Sequence, residues 1–180
     1  MNKILNKLKN SKYAKDDRGL SAIEMAILFP VLLSMLMAVY DLGQGIVINQ
    51  KTVGASQIIA DLITRREVVD TALIIDIVNA GELALDPYPT TSFGYDIASV
   101  TFDEEAEPVV LWRVSANMDE SESAINSTIG LGDEGEGVVV VSVAYQYEPF
   151  FSSFVIDTFN MTERAFLAGR KSTTVTCSDC

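Results

Sequence analysis

Residues 18–40 read RGLSAIEMAILFPVLLSMLMAVY. From Leu20 to Tyr40 one charge, Glu24, interrupts an apolar run, and after it Ser34 is the one small polar side chain. A helix of about 20 residues spans about 30 Å, the hydrocarbon thickness of a bilayer. The core helix of a soluble protein shows polar residues at every third or fourth position. A secretory signal peptide has a shorter apolar stretch and a small-x-small cleavage site. The run has neither pattern, so residues 20–40 read as a retained transmembrane helix.

The flanks of this run differ in charge. Residues 1–19 carry six basic side chains against Asp16 and Asp17, whereas residues 20–180 carry 7 basic and 23 acidic ones. A basic head before an apolar segment is the positive-inside signature. It predicts a cytoplasmic leader over 1–19 and an extracytoplasmic domain over 41–180. The acidic body excludes nucleic acid as a partner and is repelled by anionic lipid surfaces.

Glu24 needs a physical reason. A charge at the middle of a bilayer costs on the order of 3 kcal/mol. Glu24 lies one turn inside the cytoplasmic end, where the cost is smaller and where snorkelling to the head groups is one answer. The residues around it offer another. Cleavage after Gly19 makes Leu20 the new N-terminus and Glu24 the fifth residue, and glycine lets a peptidase approach the backbone. The carboxylate then pairs with the freed ammonium of its own chain or a neighbour, since each charge is costly alone in a low dielectric. A basic leader, a glycine, four residues and a glutamate before apolar residues resemble the type IV prepilin signal. Pro30 removes one helical hydrogen bond, tolerated in a membrane helix when neighbours compensate. Ala22 with Ala26, and Ser34 with Ala38, are small residues four apart that let helices approach.

Arg18, Gly19, Glu24, Ala26 and Pro30 together resemble the TadE/TadG family of the tight-adherence (Tad, Flp) pilus system. Met25 stands where that family usually has Tyr or Phe. The likeness is specific near the membrane run. It continues loosely through Val53-Gly54-Ala55-Ser56-Gln57, Ala80-Gly81-Glu82-Leu83, Leu111-Trp112 and Tyr145-x-Tyr147-Glu148-Pro149. It implies processing at Gly19–Leu20 by a prepilin peptidase and methylation of the new amine. It implies an assembly role for Glu24 and Pro30, Tad/Flp pilus subunits and pseudopilins as partners, and a part in pilus biogenesis and adhesion as a minor pilin or pseudopilin. An unprocessed bitopic scaffold of the same machine and a membrane-anchored ligand-binding domain are the alternatives.

Beyond the run, Asp41–Arg66 keeps helical spacing through Leu42, Ile46, Val53, Ile59 and Ile63, an amphipathic extension of the membrane helix. Gly43, Gly45 and Gly54 weaken it and permit a bend. Glu67–Leu85 reads as a second helix, stopped by Asp86-Pro87-Tyr88-Pro89. The period then becomes alternating, with strands expected at Tyr95–Phe102, Val109–Ala116, Val138–Tyr147 and Ala165–Thr176. Phe150–Asn160 reads equally as a short helix or a loop. Helices followed by strands predict an α+β fold: a long membrane helix, extended into an amphipathic helix, packed on a small antiparallel sheet.

Met118–Gly137 is acidic and reads as a solvated loop. Its Gly130-x-Gly132-x-x-Gly135 matches a dinucleotide fingerprint by letter, but it precedes a strand and carries Asp133 and Glu134, which repel a pyrophosphate. Calcium is a possible ligand for these acids, though the spacing is not that of an EF-hand. Cys177 and Cys180 are the only cysteines. They are too few for a structural zinc site without histidine and read as a local disulfide of an oxidising compartment. With no histidine, Ser-His and Cys-His catalysis is impossible, and no spacing singles out a carboxylate pair. The expectation is a non-enzyme with no cofactor and no metal site.

Overall fold

The computed structural model describes residues 18–151, 153 and 158–180. The basic leader before Arg18 lies outside the described residues, as does part of Phe150–Asn160. Helix α1, Arg18–Thr64, is one continuous helix of 47 residues, about 70 Å long at 1.5 Å per residue. There follow β1 (Val68–Val69), α2 (Thr71–Glu82), a 3-10 turn (Leu83–Leu85), β2 (Gly94–Phe102), β3 (Pro108–Ala116), α3 (Glu122–Asn126), β4 (Gly137–Tyr147), β5 (Phe159–Ala168) and β6 (Thr176–Cys177). The fold is α+β, with a long apolar N-terminal helix and a small antiparallel sheet.

The main sheet has the order β3-β2-β4-β5, antiparallel throughout. Val138 to Val141 in the interior strand β4 are all buried. An unbroken run of valines suits a strand covered on both faces. On one face Ile97, Val139, Val141 and Val143 join Ile48, Ile59 and Ile63 of α1 and Ile74, Ile77 and Val78 of α2. Burial of each such side chain contributes about 1.5–3 kcal/mol. On the other face Ala98, Val100, Phe102, Val138 and Val140 meet Ala124 and Ile125 of α3.

That second face refines the reading of Met118–Gly137 as a solvated loop: most of the segment is exposed, but Ala124, Ile125 and Thr128 are buried. Its α3 turn is a lid on the sheet, and its exposed acids Glu120 and Glu122 flank a buried ion pair. Asp96, on this face, receives Nε of Arg113 at 2.8 Å and the backbone N–H of Ser121 at 3.0 Å. Glu122 and Glu120 lie 3.1 and 3.6 Å from Arg113. The hydrogen bonds to Asp96 raise the Arg113 pKa above its usual value.

Two expectations need correction. Val68 and Val69 are strand, and the second helix starts only at Thr71, where the Asp70 side chain caps it by accepting from the N–H of Leu73 at 2.7 Å. The last long strand is Phe159–Ala168, not Ala165–Thr176. The chain leaves the sheet after Ala168, and its tail returns to pair in parallel with β1, Val68 opposite Thr176 and Val69 opposite Cys177. The carbonyl of Val175 accepts from Trp112 Nε1 and Ser99 Oγ, each at 2.8 Å. This buried register holds the tail, and an alternating pattern cannot distinguish it from a continued strand.

Helices α1 and α2 pack closely at Gly81. A Cβ there would stand 2.5 Å from Cγ1 of Ile59, whereas one at Gly54 meets nothing within 4 Å. Gly81→Ala is expected to destabilise the protein by about 1–3 kcal/mol through overpacking. Gly54→Ala is expected to stabilise it by about 1 kcal/mol through helix propensity. Thermal unfolding of the detergent-solubilised protein should show the two midpoints moving in opposite directions.

Candidate functional site

Helix α1 changes surroundings along its length. Every residue from Gly19 to Leu36 is exposed, including Leu20 at 58% and Leu36 at 66%. From Asp41 onward one stripe of the helix is buried, with Ile48, Ala55, Ile59 and Ile63 fully covered. The exposed part is apolar and long enough to cross a bilayer. Ser34 satisfies its hydroxyl within the helix by donating to the carbonyl of Val31 at 2.8 Å, which suits an apolar solvent.

The processing and assembly residues singled out from the sequence, Gly19, Leu20, Glu24 and Pro30, lie on this bare segment. Gly19 and Leu20 are exposed, and a Cβ at Gly19 would meet nothing within 4 Å. Glu24 is exposed on the same segment, and among the described residues no cation pairs with it. Pro30 lies within the helix, and its missing N–H leaves the carbonyl of Ala26 without its helical donor. Helical spacing places Ala22, Ala26 and Pro30 on one side, four residues apart. That side carries the least side-chain bulk and one unmatched carbonyl.

Where the bare segment ends, a polar collar holds the helix. Asp41 is only 4% exposed. Its carboxylate accepts from the backbone N–H of Phe150 at 3.2 Å and of Phe151 at 3.1 Å, and its carbonyl accepts from the Tyr147 hydroxyl at 3.2 Å. The Tyr88 hydroxyl donates to Oε1 of Gln44 at 2.6 Å. Nζ of Lys51 donates to the carbonyls of Ala84 and Asp86 at 3.1 and 2.7 Å. Burial pushes the Tyr147 pKa above the usual phenol value, and the charge of Asp41 adds to it. Sequence reading marked Tyr147 within a similar segment but missed the role of Asp41. The available signal was its position as the first charge after the apolar run.

Beside the collar, Leu42 and Ile46 of α1 and Phe159 and Met161 of β5 line an open cleft of about 390 Å³. The Tyr147 ring lies against the helix at Gly45, and Tyr147 stacks on Phe159 with centroids 6.3 Å apart.

The remaining sequence candidates have structural uses. Gly130 and Gly135 adopt positive φ, and Gly132 has no room for a Cβ against the Phe102 ring. The glycine pattern therefore shapes the lid over the sheet. Cys177 and Cys180 are joined in a disulfide at the end of the tail. Asp179, between them, accepts from the N–H and hydroxyl of Thr71 at 2.8 and 3.0 Å, tying the tail to the start of α2.

Residues 19–61 match the family model of TadE-like proteins. This stretch of the chain is similar to TadE-like proteins. The match covers the bare apolar segment, the collar residues Asp41, Gln44 and Lys51, and most of the packed half of α1. It points to a component associated with a Tad pilus and carried on an apolar helix that fits a single-pass membrane anchor. No curated protein and no solved structure matches the chain.

The collar has a measurable pH signature. The folded protein holds the Tyr147 proton more tightly than the unfolded chain, whose phenol titrates near 10.0. Its contribution to stability is therefore full below pH 10.0 and is lost as pH rises through the raised folded value. Tyr147→Phe is expected to cost about 1 kcal/mol at neutral pH through the lost bond to Asp41. It should also flatten the loss of stability above that pH, leaving the part due to buried Tyr145, whose pKa burial also raises. Denaturant titrations across the alkaline range check both effects.

Proposed function

We propose that the protein is a minor pilin or pseudopilin-like subunit of a Tad-type pilus assembly system, acting in pilus biogenesis and adhesion and without enzymatic activity of its own. It is held in the inner membrane with its N-terminus in the cytoplasm and its sheet domain in the periplasm. Prepilin peptidase cuts between Gly19 and Leu20. The new ammonium of Leu20 and the carboxylate of Glu24, on the same or a neighbouring chain, then neutralise each other inside the apolar layer. That pairing docks the helix against Tad/Flp pilus subunits. Ala22, Ala26 and the open carbonyl turn before Pro30 provide the closest approach between helices.

One observation carries this reading: Glu24 sits exposed on a bare apolar helix, five residues after Gly19, within the TadE-like segment. An isolated carboxylate there is unfavourable unless a cation meets it. The −16 charge of residues 20–180 adds that an amine inside the membrane, rather than a basic surface of the domain, is the natural partner. A second reading, an unprocessed scaffold of the same machine, is favoured by Met25 in the place of the usual aromatic residue.

N-terminal sequencing of the protein extracted from membranes separates the two. The expected mature chain starts at Leu20 when prepilin peptidase is active and at Met1 when it is not; Met1 in both strains establishes the scaffold instead. Glu24→Ala and Glu24→Gln are each expected to abolish piliation at unchanged protein abundance, since both remove the charge. Normal pili in either strain rule out the docking role.

A further inference from the structure

The turn after β4 presents two adjacent phenylalanines. Phe150 is 78% exposed, although it is among the largest apolar side chains. Its ring lies edge-on to Phe151, with centroids 4.8 Å apart, and Phe151 is edge-on to Tyr40 at 5.6 Å. With Leu33, Leu36, Met37 and Tyr40 of the bare segment these rings form one apolar groove. Leu33 and Tyr40 are two helical turns apart, about 10 Å. The aromatic pair therefore lies alongside the last two turns of the apolar run rather than beyond its end.

We propose that the Phe150–Phe151 turn is a second membrane contact, entering the outer interfacial layer of the bilayer beside Leu36, Met37 and Tyr40. The inference rests on the reading of α1 as a membrane anchor and adds to it a fixed posture of the domain on the lipid. Three observations select lipid as the occupant. The turn is continuous with the face of α1 that the bilayer would cover. Its backbone is prepared for an apolar medium, because the N–H groups of Phe150 and Phe151 are both bound by Asp41 and unsatisfied amides are costly in lipid. Residues 20–180 carry net charge −16, so electrostatic attraction to anionic head groups cannot hold the domain down. An apolar contact has to, and aromatic rings are the side chains that settle at the interface. Interfacial groups of this kind reach about 5–10 Å below the head groups, the depth set here by Leu33 to Tyr40.

Quenching by brominated lipid tests this on the full chain in phosphatidylcholine vesicles. Trp112 is the only tryptophan, is 7% exposed and donates to Val175 within the domain, so the wild type supplies the unquenched baseline. Phe150→Trp is expected to lose roughly half of its added emission to bromines near the head groups and less to bromines at the chain ends, as an interfacial depth requires. Leu28→Trp, in the middle of the apolar run, should show the opposite order. If Leu28→Trp is quenched and Phe150→Trp is not, the anchor stands and this contact is wrong. A Phe150→Trp emission that is unquenched but shifts with protein-to-lipid ratio assigns the turn to a second copy and equally overturns the proposal. Loss of quenching in both variants removes the anchor and the contact together.

Discussion

Helix α1 has to be compatible with two environments, and it changes from one to the other without a break in its hydrogen bonding. From Gly19 to Leu36 it is exposed on all sides and, apart from Glu24 and two serines, apolar around its circumference. After Asp41 it buries one stripe against a sheet and a second helix, and polar residues return at the other positions. A continuous helix transmits rotation and tilt along its axis. The pose of the domain is therefore fixed by how the bare half is held, and the reverse. The other elements of the fold are arranged around this constraint.

Asp41 marks the change and makes it tolerable. A carboxylate at the end of an apolar run is costly unless its oxygens are occupied, and here two backbone amides occupy them. The same bonds bring the turn after β4 onto the helix, and the Tyr147 hydroxyl closes the collar from the strand side. Further along the helix Lys51 completes the collar by bridging to the carbonyls of Ala84 and Asp86. These polar contacts of α1 follow the apolar segment, and between them and the contacts at its far end the helix is held by aliphatic packing.

The far end of the domain is secured differently. The C-terminal tail pairs with β1, its disulfide closes a short loop, and Arg170 reaches Asp61 of α1 at 2.6 Å. The tail therefore braces the end of α1 and the start of α2. With the collar at one end and the tail at the other, the packed half of α1 is a stiff stem. Such a stem suits a subunit whose membrane helix and outer domain must dock together, as the proposed pilin-like role requires.

Much of this plan was legible in the sequence because periodicity reports burial. The apolar run, the helical stripe through Ile59 and Ile63, and the valine-rich strands each determined an element type. The positions of Gly19, Glu24 and Pro30 on an exposed apolar helix also followed from local pattern. What local pattern could not decide was who covers whom. The acidic segment 118–137 looked solvated because two of its few apolar residues, Ala124 and Ile125, gain meaning only against the second face of the sheet. Val68 and Val69 looked helical because their strand partner lies 108 residues away, at Thr176 and Cys177. Asp41 looked like the first polar residue after a membrane run, and only the tertiary structure gave its carboxylate two amide donors and set Phe150 and Phe151 beside the helix. The sequence alone determined which segments avoid water. The tertiary structure decided which surfaces exclude it together, because such pairing depends on contacts between residues far apart in the chain.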